Sequence, residues 1–252
     1  MKAGADNPLV AHLVAAHHTG HLVPFANALV PHDIAAAYAT QAHVAETLAA
    51  DVSGWKVGIR PDGTPMTAPI FASLMKTSGA TWLLPLAGQL VVEIELALRL
   101  ADDLPARTRP YTRDEIASAV GEVLVGIELI HSRISGNDDP PFFLILADNL
   151  GNDGYVMGDA LRNFRSLDLA RLRCRMTIDG VSAHDRVGGH PQNDPYAPLI
   201  ACLGQGMMGL GGFRAGQIIT TGSLIMPLRP TKKMAIHAEL EGIGAVAVTI
   251  GS

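Results

Sequence analysis

The chain has 252 residues, 48% hydrophobic and 17% charged, a balance that fits a folded protein with a well-filled core and excludes a disordered one. A formal net charge of -5 and the lack of a Lys/Arg cluster argue against a nucleic-acid-binding protein. No apolar run approaches the roughly 18 residues of a membrane span, and no signal peptide is evident. The two cysteines, Cys174 and Cys202, make no CxxC pair or disulfide framework. We expect a cytoplasmic protein without nucleic-acid or membrane partners.

The first fifty residues have a helical pattern. We predict a short helix over 7–18, with Leu9 and Leu13 on one face. A second, alanine-rich helix is predicted over 33–50, with Asp33 as its N-cap.

A cluster of histidines at the end of the first predicted helix is a possible metal site. Its members are His17, His18 and His21. They lack an i, i+4 histidine pair framed by an acid, and they coincide with a helix end marked by Gly20. The pattern favours a solvated helix terminus over a metal site.

Residues 90–100 alternate strictly, which predicts a β-strand with six apolar side chains on its core face. Glu93 and Glu95 share the other face, about 6 to 7 Å apart. Because like charges buried side by side are costly, a divalent metal with oxygen ligands is one interpretation of the pair. The solvated face of a half-exposed strand is the alternative, although glutamate is a poor strand former.

After Asp51 the chain changes to short apolar runs separated by Gly and Pro, which indicates a strand-rich region. Residues 54–59 are predicted to form a strand that carries Lys56. Residues 60–80 are predicted to form a long irregular connection of the kind that forms lids or binding loops. Thr112 and Glu115 fit a capping box at the start of a helix that runs to about residue 124. The next predicted strand, 125–130, contains Glu128. Three acids in strands would complete an octahedral Mg²⁺ or Mn²⁺ site together with waters or substrate oxygens.

The rest of the chain has further strand signals. We predict a hairpin from residue 173 onward with its turn at Asp179-Gly180, and a helix over 195–208. Residues 217–221 and 234–250 are predicted to be β-strand, the latter broken by a turn at 241–244.

Several short segments fall in an order that resembles the 2-keto-4-pentenoate hydratase and 4-oxalocrotonate decarboxylase family of the fumarylacetoacetase superfamily. The segments are Gly54-Trp55-Lys56-Val57-Gly58, Val92-Glu93-Ile94-Glu95-Leu96, Glu128-Leu129-Ile130 with Ser132-Arg133-Ile134, Ala147-Asp148-Asn149, Gly189-His190-Pro191, Thr221-Gly222-Ser223 and Glu241-Gly242-Ile243-Gly244. The likeness covers nearly the whole chain, and the ordered set of motifs is specific where each motif alone is weak.

The resemblance implies an α+β fold: a mixed β-sheet roll of the fumarylacetoacetase C-terminal type with a short N-terminal helical segment. We expect one catalytic domain over 1–252, helical over 1–50 and a β-rich metal-binding roll over 51–252. The resemblance also implies that Glu93, Glu95 and Glu128 hold Mg²⁺ or Mn²⁺, and that Lys56 transfers protons in the same pocket. We further expect a homo-oligomer, associated with a paired decarboxylase or hydratase.

Other candidate residues follow from the same motifs. Asp148 is a candidate catalytic residue, and Asn149, Thr221 and Ser223 are candidate substrate-binding residues; a turn cap is an equal alternative for Asp148 and Asn149. Gly189-His190-Pro191 has two equal interpretations, a histidine that approaches the pocket and a helix-entry turn, so His190 is not counted among the catalytic candidates. The chain departs from the family at 67–71, where an acid is usual, and at 150–153, where small residues are usual. Both departures lie where substrate specificity would be set.

The expected activity is a metal-dependent hydratase that adds water to a 2-hydroxy-2,4-dienoate and gives a 4-hydroxy-2-oxo acid. We expect the pocket to lower the pKa of Lys56 through metal charge and partial desolvation. A decarboxylase acting on 2-oxo-3-hexenedioate needs the same metal, so the motifs do not separate the two. An acylpyruvate-type C–C hydrolase and a non-catalytic partner subunit are less favoured functions.

Overall fold

The computed structural model describes residues 7–85, 87–137, 139–204 and 211–251. The helices are α1 (Pro8–Thr19), α2 (Ile34–Thr47), α3 (Arg113–Ala119), α4 (Phe142–Ala147) and α5 (Ala197–Gly204). The strands are β1 (Val23–Pro24), β2 (Val52–Ile59), β3 (Pro65–Phe71), β4 (Met75–Thr77), β5 (Ala80–Leu83), β6 (Val91–Leu100), β7 (Leu104–Pro105), β8 (Val120–Ile130), β9 (Ile134–Ser135), β10 (Asn152–Leu161), β11 (Arg173–Ile178), β12 (Val181–Val187), β13 (Gly212–Phe213), β14 (Ile218–Ser223), β15 (Met234–Leu240) and β16 (Gly244–Gly251).

Two mixed sheets dominate the fold. The larger has seven strands in the order β3-β2-β14-β6-β8-β10-β4, and the smaller has five in the order β12-β11-β15-β16-β5. Both sheets contain parallel and antiparallel pairs. In the larger sheet, β14 runs parallel to β2, and β6 runs antiparallel to β8. In the smaller sheet, β16 runs parallel to β5 and antiparallel to β15. A mixed, sheet-dominated fold with few helices agrees with the predicted fold class.

The main hydrophobic core lies between the two sheets. It includes Val92 and Ile127 from the larger sheet and Val246 and Ile250 from the smaller one, all buried. The sheets approach closely where β10 meets β16: a side chain at Gly158 would place its Cβ 2.5 Å from the Ala245 carbonyl oxygen. Glycine at this position therefore permits the contact between the sheets.

The predicted N-terminal helices are confirmed. The Asn7 side chain caps α1 by accepting from the amide of Leu9, and the Asp33 side chain accepts a hydrogen bond from the amide of Ala36 at the start of α2. Both helices pack with α4 in a second apolar cluster that contains Leu9. None of the helices among the described residues is long and apolar enough to cross a bilayer.

The histidine cluster at the end of α1 differs from the prediction at one position. Gly20 ends α1 in the left-handed conformation, with φ 71°, as the sequence predicts. His17, however, is half-buried rather than solvated, because its ring packs 5.6 Å from the ring of Phe71 on β3.

The prediction of a long irregular connection over residues 60–80 is wrong. This segment forms β3, β4 and the start of β5. Pro69 lies inside β3, opposite Trp55 of β2, but β3 is the edge strand of the larger sheet. An edge strand tolerates proline because one side of its backbone needs no sheet hydrogen bonds.

Two predicted helices have different ends in the structure. The Thr112–Glu115 capping box is present, but α3 ends at Ala119 and β8 begins at Val120, so the prediction of helix up to residue 124 is wrong. The fifth helix starts at Ala197, and residues 205–208 of the predicted span lie outside the described residues. The hairpin at Asp179-Gly180 and the strands after residue 217 are confirmed.

Candidate metal centre

Two neighbouring central strands bring three glutamates together. In the antiparallel pair β6–β8, Glu93 is directly opposite Glu128, and Glu95 lies two residues further along β6. Residues in these positions point to the same face of a sheet. One carboxylate oxygen from each of the three lies within 4.8 Å of the others. Within the described part of the chain, this is the one cluster of three or more side chains that can ligate a metal.

Lys56 supplies the positive charge of this cluster. Its Nζ lies 2.8 Å from Glu128 Oε1 and also donates to the carbonyl of Leu150, 3.3 Å away. The same oxygen of Glu128 accepts a hydrogen bond of 2.8 Å from Asn152 Nδ2. Because Glu128 is fully buried, these two donors fix the orientation of its carboxylate.

The protonation of the cluster is set by burial and by mutual repulsion. Burial, followed by the neighbouring Glu128, raises the pKa of Glu93 and raises that of Glu95 well above its usual range. Burial alone would lower the pKa of Lys56, but the carboxylates, chiefly Glu128, outweigh it and raise that pKa. The expectation that the pocket lowers the pKa of Lys56 is therefore not met by the protein's own groups.

Two carboxylate oxygens of the cluster have no partner in the protein. Glu95 Oε2 and Glu128 Oε2 are buried without a hydrogen bond to any described residue. A buried carboxylate oxygen without a partner is costly unless a cation or a donor satisfies it. When all three carboxylates are ionised, the ammonium of Lys56 balances one of their charges and a divalent cation would balance the other two. The residues present therefore fit a hard divalent ion with oxygen ligands.

A cavity of about 420 Å³ opens over the glutamates, a size typical of small-ligand sites. Its polar lining residues are the three glutamates, Lys56, Arg60, Gln192, Thr220 and Thr221. Apolar side chains form much of the remaining wall: Met66, Ile130, Phe142, Ile145 and Leu150. The cavity thus suits a small molecule with a charged end and an apolar carbon chain.

Sequence comparison places the chain among known enzymes, although no family model matches it. It is 33% identical over 192 residues to a 2-keto-4-pentenoate hydratase of Paraburkholderia phymatum, covering 73% of this chain and 69% of the relative. The chain belongs to the 2-keto-4-pentenoate hydratase family. A 2-hydroxyhexa-2,4-dienoate hydratase of Comamonas testosteroni is 29% identical over 180 residues, covering 70% of this chain and 66% of the relative.

Comparison with solved structures identifies the fold of this hydratase-family chain as fumarylacetoacetase-like. The 4-oxalocrotonate decarboxylase from Pseudomonas putida G7, complexed with magnesium and adipate, matches with a TM-score of 0.84 and 18% identity, covering 97% of this chain and 96% of that one. The fumarylpyruvate hydrolase from Pseudomonas aeruginosa, in complex with Mn²⁺ and pyruvate, matches with a TM-score of 0.58 and 13% identity, covering 78% and 88%. At these identities the likeness shows the fold alone.

Of the other candidate residues, the structure places Thr221 alone in the cavity wall. Asp148 is buried in an ion pair with Arg133, with 3.1 Å between its Oδ1 and Nη1, and it does not line the cavity. Asn149 is also buried behind the wall, with its Oδ1 unpartnered among the described residues. The Ser223 hydroxyl donates to the carbonyl of Ile225, and Ser223 lines a different groove. The geometry therefore gives Asp148 and Ser223 structural contacts rather than contacts with a ligand in this cavity.

Three residues around the centre were not singled out from the sequence. Asn152 binds Glu128, Thr220 lines the cavity beside Thr221, and Tyr155 pairs in register with Glu128. Burial, followed by the charges of Glu95 and Glu128, raises the pKa of the Tyr155 phenol well above its usual range. Pairing β10 with β8 in register would have placed Tyr155 beside Glu128. The same pairing does not place Asn152 near Glu128, because a bulge lies between Asn152 and Gly154.

Proposed function

We propose that this chain is a metal-dependent hydratase, one catalytic domain that adds water to a 2-hydroxy-2,4-dienoate of the 2-keto-4-pentenoate type. The convergence of Glu93, Glu95 and Glu128 beside Lys56, in a cavity with an apolar wall, carries this proposal. The names of the relatives, 2-keto-4-pentenoate hydratase and 2-hydroxyhexa-2,4-dienoate hydratase, support the same reaction.

The three glutamates would hold Mg²⁺ or Mn²⁺, because both ions prefer oxygen ligands. Magnesium and Mn²⁺ each accompany one of the two structural neighbours. When bound, the ion supplies a Lewis acid that polarises the 2-oxygen of an oxo acid. Asn152 and Lys56 orient the Glu128 carboxylate for that role through its Oε1.

The chain's own residues provide binding and proton transfer. In the reaction, the 2-hydroxyl loses its proton and C5 gains one, which gives a conjugated enone. Water then adds its hydroxyl to C4, and C3 gains a proton. We assign the proton transfers to Lys56, the one amine in the described wall of the cavity. The apolar wall around Leu150 holds the carbon chain. Thr221 lines the same cavity, but its buried hydroxyl donates to the carbonyl of Leu96, 2.9 Å away.

The competing reactions differ in what they require of the same cavity. Decarboxylation of 2-oxo-3-hexenedioate needs the same metal, and the decarboxylase neighbour supports it through fold alone. A C–C hydrolase that activates water with a histidine is disfavoured, because no histidine lies among the described residues of the cavity wall.

The test is an assay of the purified chain with Mg²⁺ on two substrates. With 2-hydroxypenta-2,4-dienoate we expect loss of dienol absorbance and formation of 4-hydroxy-2-oxopentanoate. With 2-oxo-3-hexenedioate we expect little release of CO₂. Release of CO₂ without hydration would identify a decarboxylase instead, and inactivity on both substrates would contradict the proposal.

A further inference from the structure

The cavity contains a second cation besides Lys56. Arg60 follows β2 directly, and Arg60 and Lys56 both line the cavity. Three residues of extended strand lie between Lys56 and Arg60, which places their Cα atoms roughly 13 Å apart. The residue between them on the same face is Gly58, and the Met66 side chain of β3 lies over it, with its Cε 2.8 Å from the position of a Cβ there.

Neighbouring side chains hold Arg60 at this end of the cavity. Its Cζ lies 3.7 Å from the centre of the ring of Phe142, which is itself part of the wall. Its Nε lies 3.2 Å from Asp62 Oδ2, while the other oxygen of Asp62 accepts from the amide of Thr64. Among the described residues, neither Nη1 nor Nη2 of Arg60 has a hydrogen-bond acceptor. The part of the guanidinium that binds carboxylates in a bidentate manner is therefore still available.

The other charges in the cavity indicate which ligand group Nη1 and Nη2 of Arg60 would bind. The charge of Lys56 is matched by Glu128 at 2.8 Å. Arg60 is the one other cationic side chain among the described residues of the cavity wall, and Asp62 pairs with it through Nε alone. A ligand with a single carboxylate needs no partner at this end. A second carboxylate at the far end of the ligand would need a cation of its own, because burying it unpaired is costly.

We propose that Arg60 is a specificity-determining residue that binds a second carboxylate, so that the preferred substrate is a 2-hydroxy-2,4-dienedioate rather than a dienoate with an apolar end. This inference rests on the proposed function and specifies its substrate class. The 2-oxo acid end lies at the glutamates, the carbon chain against the apolar wall, and the distal carboxylate at Nη1 and Nη2 of Arg60.

The same ion pair favours hydration over decarboxylation of such a substrate. When CO₂ leaves, the electron pair of the C–C bond moves toward the 2-oxo acid and the carboxylate loses its charge. A guanidinium bound to that carboxylate stabilises the ground state more than the transition state. Hydration at C4 leaves the distal carboxylate unchanged, so Arg60 binds it throughout.

The experiment compares two unreactive probes that differ only in the distal group: 2-oxohexanedioate and 2-oxohexanoate. Their binding to the Mg²⁺-loaded full chain is measured by titration calorimetry. We expect the dioate to bind the unaltered protein about tenfold more tightly or better. Arg60→Gln should reduce that ratio to within about twofold, and Arg60→Lys should give an intermediate ratio, since lysine lacks the bidentate fork. Affinity for 2-oxohexanoate should change little in either variant.

Arg214→Gln is the matched control, because Arg214 is exposed and lies outside the cavity wall; it should keep the full ratio. Equal binding of the two probes, or a preference that survives Arg60→Gln, overturns the role of Arg60 while leaving the hydratase proposal in place. Failure of both probes to bind with Mg²⁺ contradicts the proposed function as well.

Discussion

At the scale of single residues, the ammonium of Lys56 has two effects that mutation can separate. It offsets the charge of Glu128, and under the proposed function it is the amine that transfers protons. The raised pKa that the carboxylates impose favours its protonated form. A divalent ion at the same carboxylates would oppose that effect, because a nearby positive charge lowers the pKa of an ammonium.

Lys56→Met should therefore reduce kcat by roughly 10²–10⁴. The same change should not weaken metal binding, because it removes a positive charge and no ligand. Steady-state kinetics and a Mn²⁺ titration measure the two effects. Lys76→Met, at an exposed lysine outside the cavity, is the control and should leave both unchanged. Near-normal turnover of Lys56→Met would exclude lysine as the proton carrier.

The residues of the site were predictable from sequence to different degrees. Glu93, Glu95 and Glu128 could be predicted as site residues because acids are rare inside an apolar strand. Asp148 shares a motif with residues near the centre, yet its carboxylate binds the amide and the guanidinium of Arg133. That partner depends on tertiary packing, so spacing along the chain does not reveal it.

At the scale of secondary-structure elements, the packing of β6, β8 and β10 depends on a glycine. Gly126 pairs with Glu95 on one side and Met157 on the other. A Cβ at Gly126 would overlap the ring and hydroxyl of Tyr155, which is fully buried. The absence of a side chain at this position leaves the space that the Tyr155 phenol fills beside Glu95.

Gly126→Ala should lower the free energy of unfolding by about 1–3 kcal/mol or more, the usual cost of overpacking. Urea unfolding of the metal-free protein measures the change. Gly204→Ala is the matched control: Gly204 is exposed at the end of α5, no atom of the described residues lies near its Cβ position, and alanine favours helix. If both variants were as stable as the unaltered chain, the close packing of Tyr155 on Gly126 would be wrong.

Periodicity identified the elements where the pattern is long and regular, as in β6 and in α2. Periodicity failed where the position of a segment in the folded protein decides its secondary structure. Pro69 reads as a strand breaker until β3 is known to be an edge strand. Similarly, the helix begun by the Thr112–Glu115 box ends early because Val120 starts β8 in the middle of the larger sheet.

At the scale of the whole molecule, His17 links the N-terminal helices to the larger sheet through Phe71. Burial, followed by the charge of Arg133, lowers the pKa of His17 from 6.5 to about 3. The unfolded chain therefore binds a proton at this histidine between pH 6.5 and 3 that the folded chain does not. The stability that this group contributes is present above pH 6.5 and is lost as the pH falls toward 3.

We expect this histidine to reduce the free energy of unfolding by on the order of 2 kcal/mol between pH 7 and pH 5. In His17→Leu that component should disappear, so the stability curve should be flatter in this range. His12→Leu, at an exposed histidine of the same helix, should keep the slope of the unaltered protein. Parallel curves for the unaltered protein and His17→Leu would show that His17 titrates normally.

The binding of one divalent ion by the three glutamates is tested most directly by calorimetric titration of the metal-free chain with Mn²⁺. We predict one ion per chain for the unaltered protein and for Glu46→Gln, a control at an exposed acid on α2. Glu128→Gln should weaken binding by more than the roughly 10–100-fold that changes outside the ligand set cost. No uptake by the unaltered chain, or equal affinity in Glu128→Gln, would contradict the account.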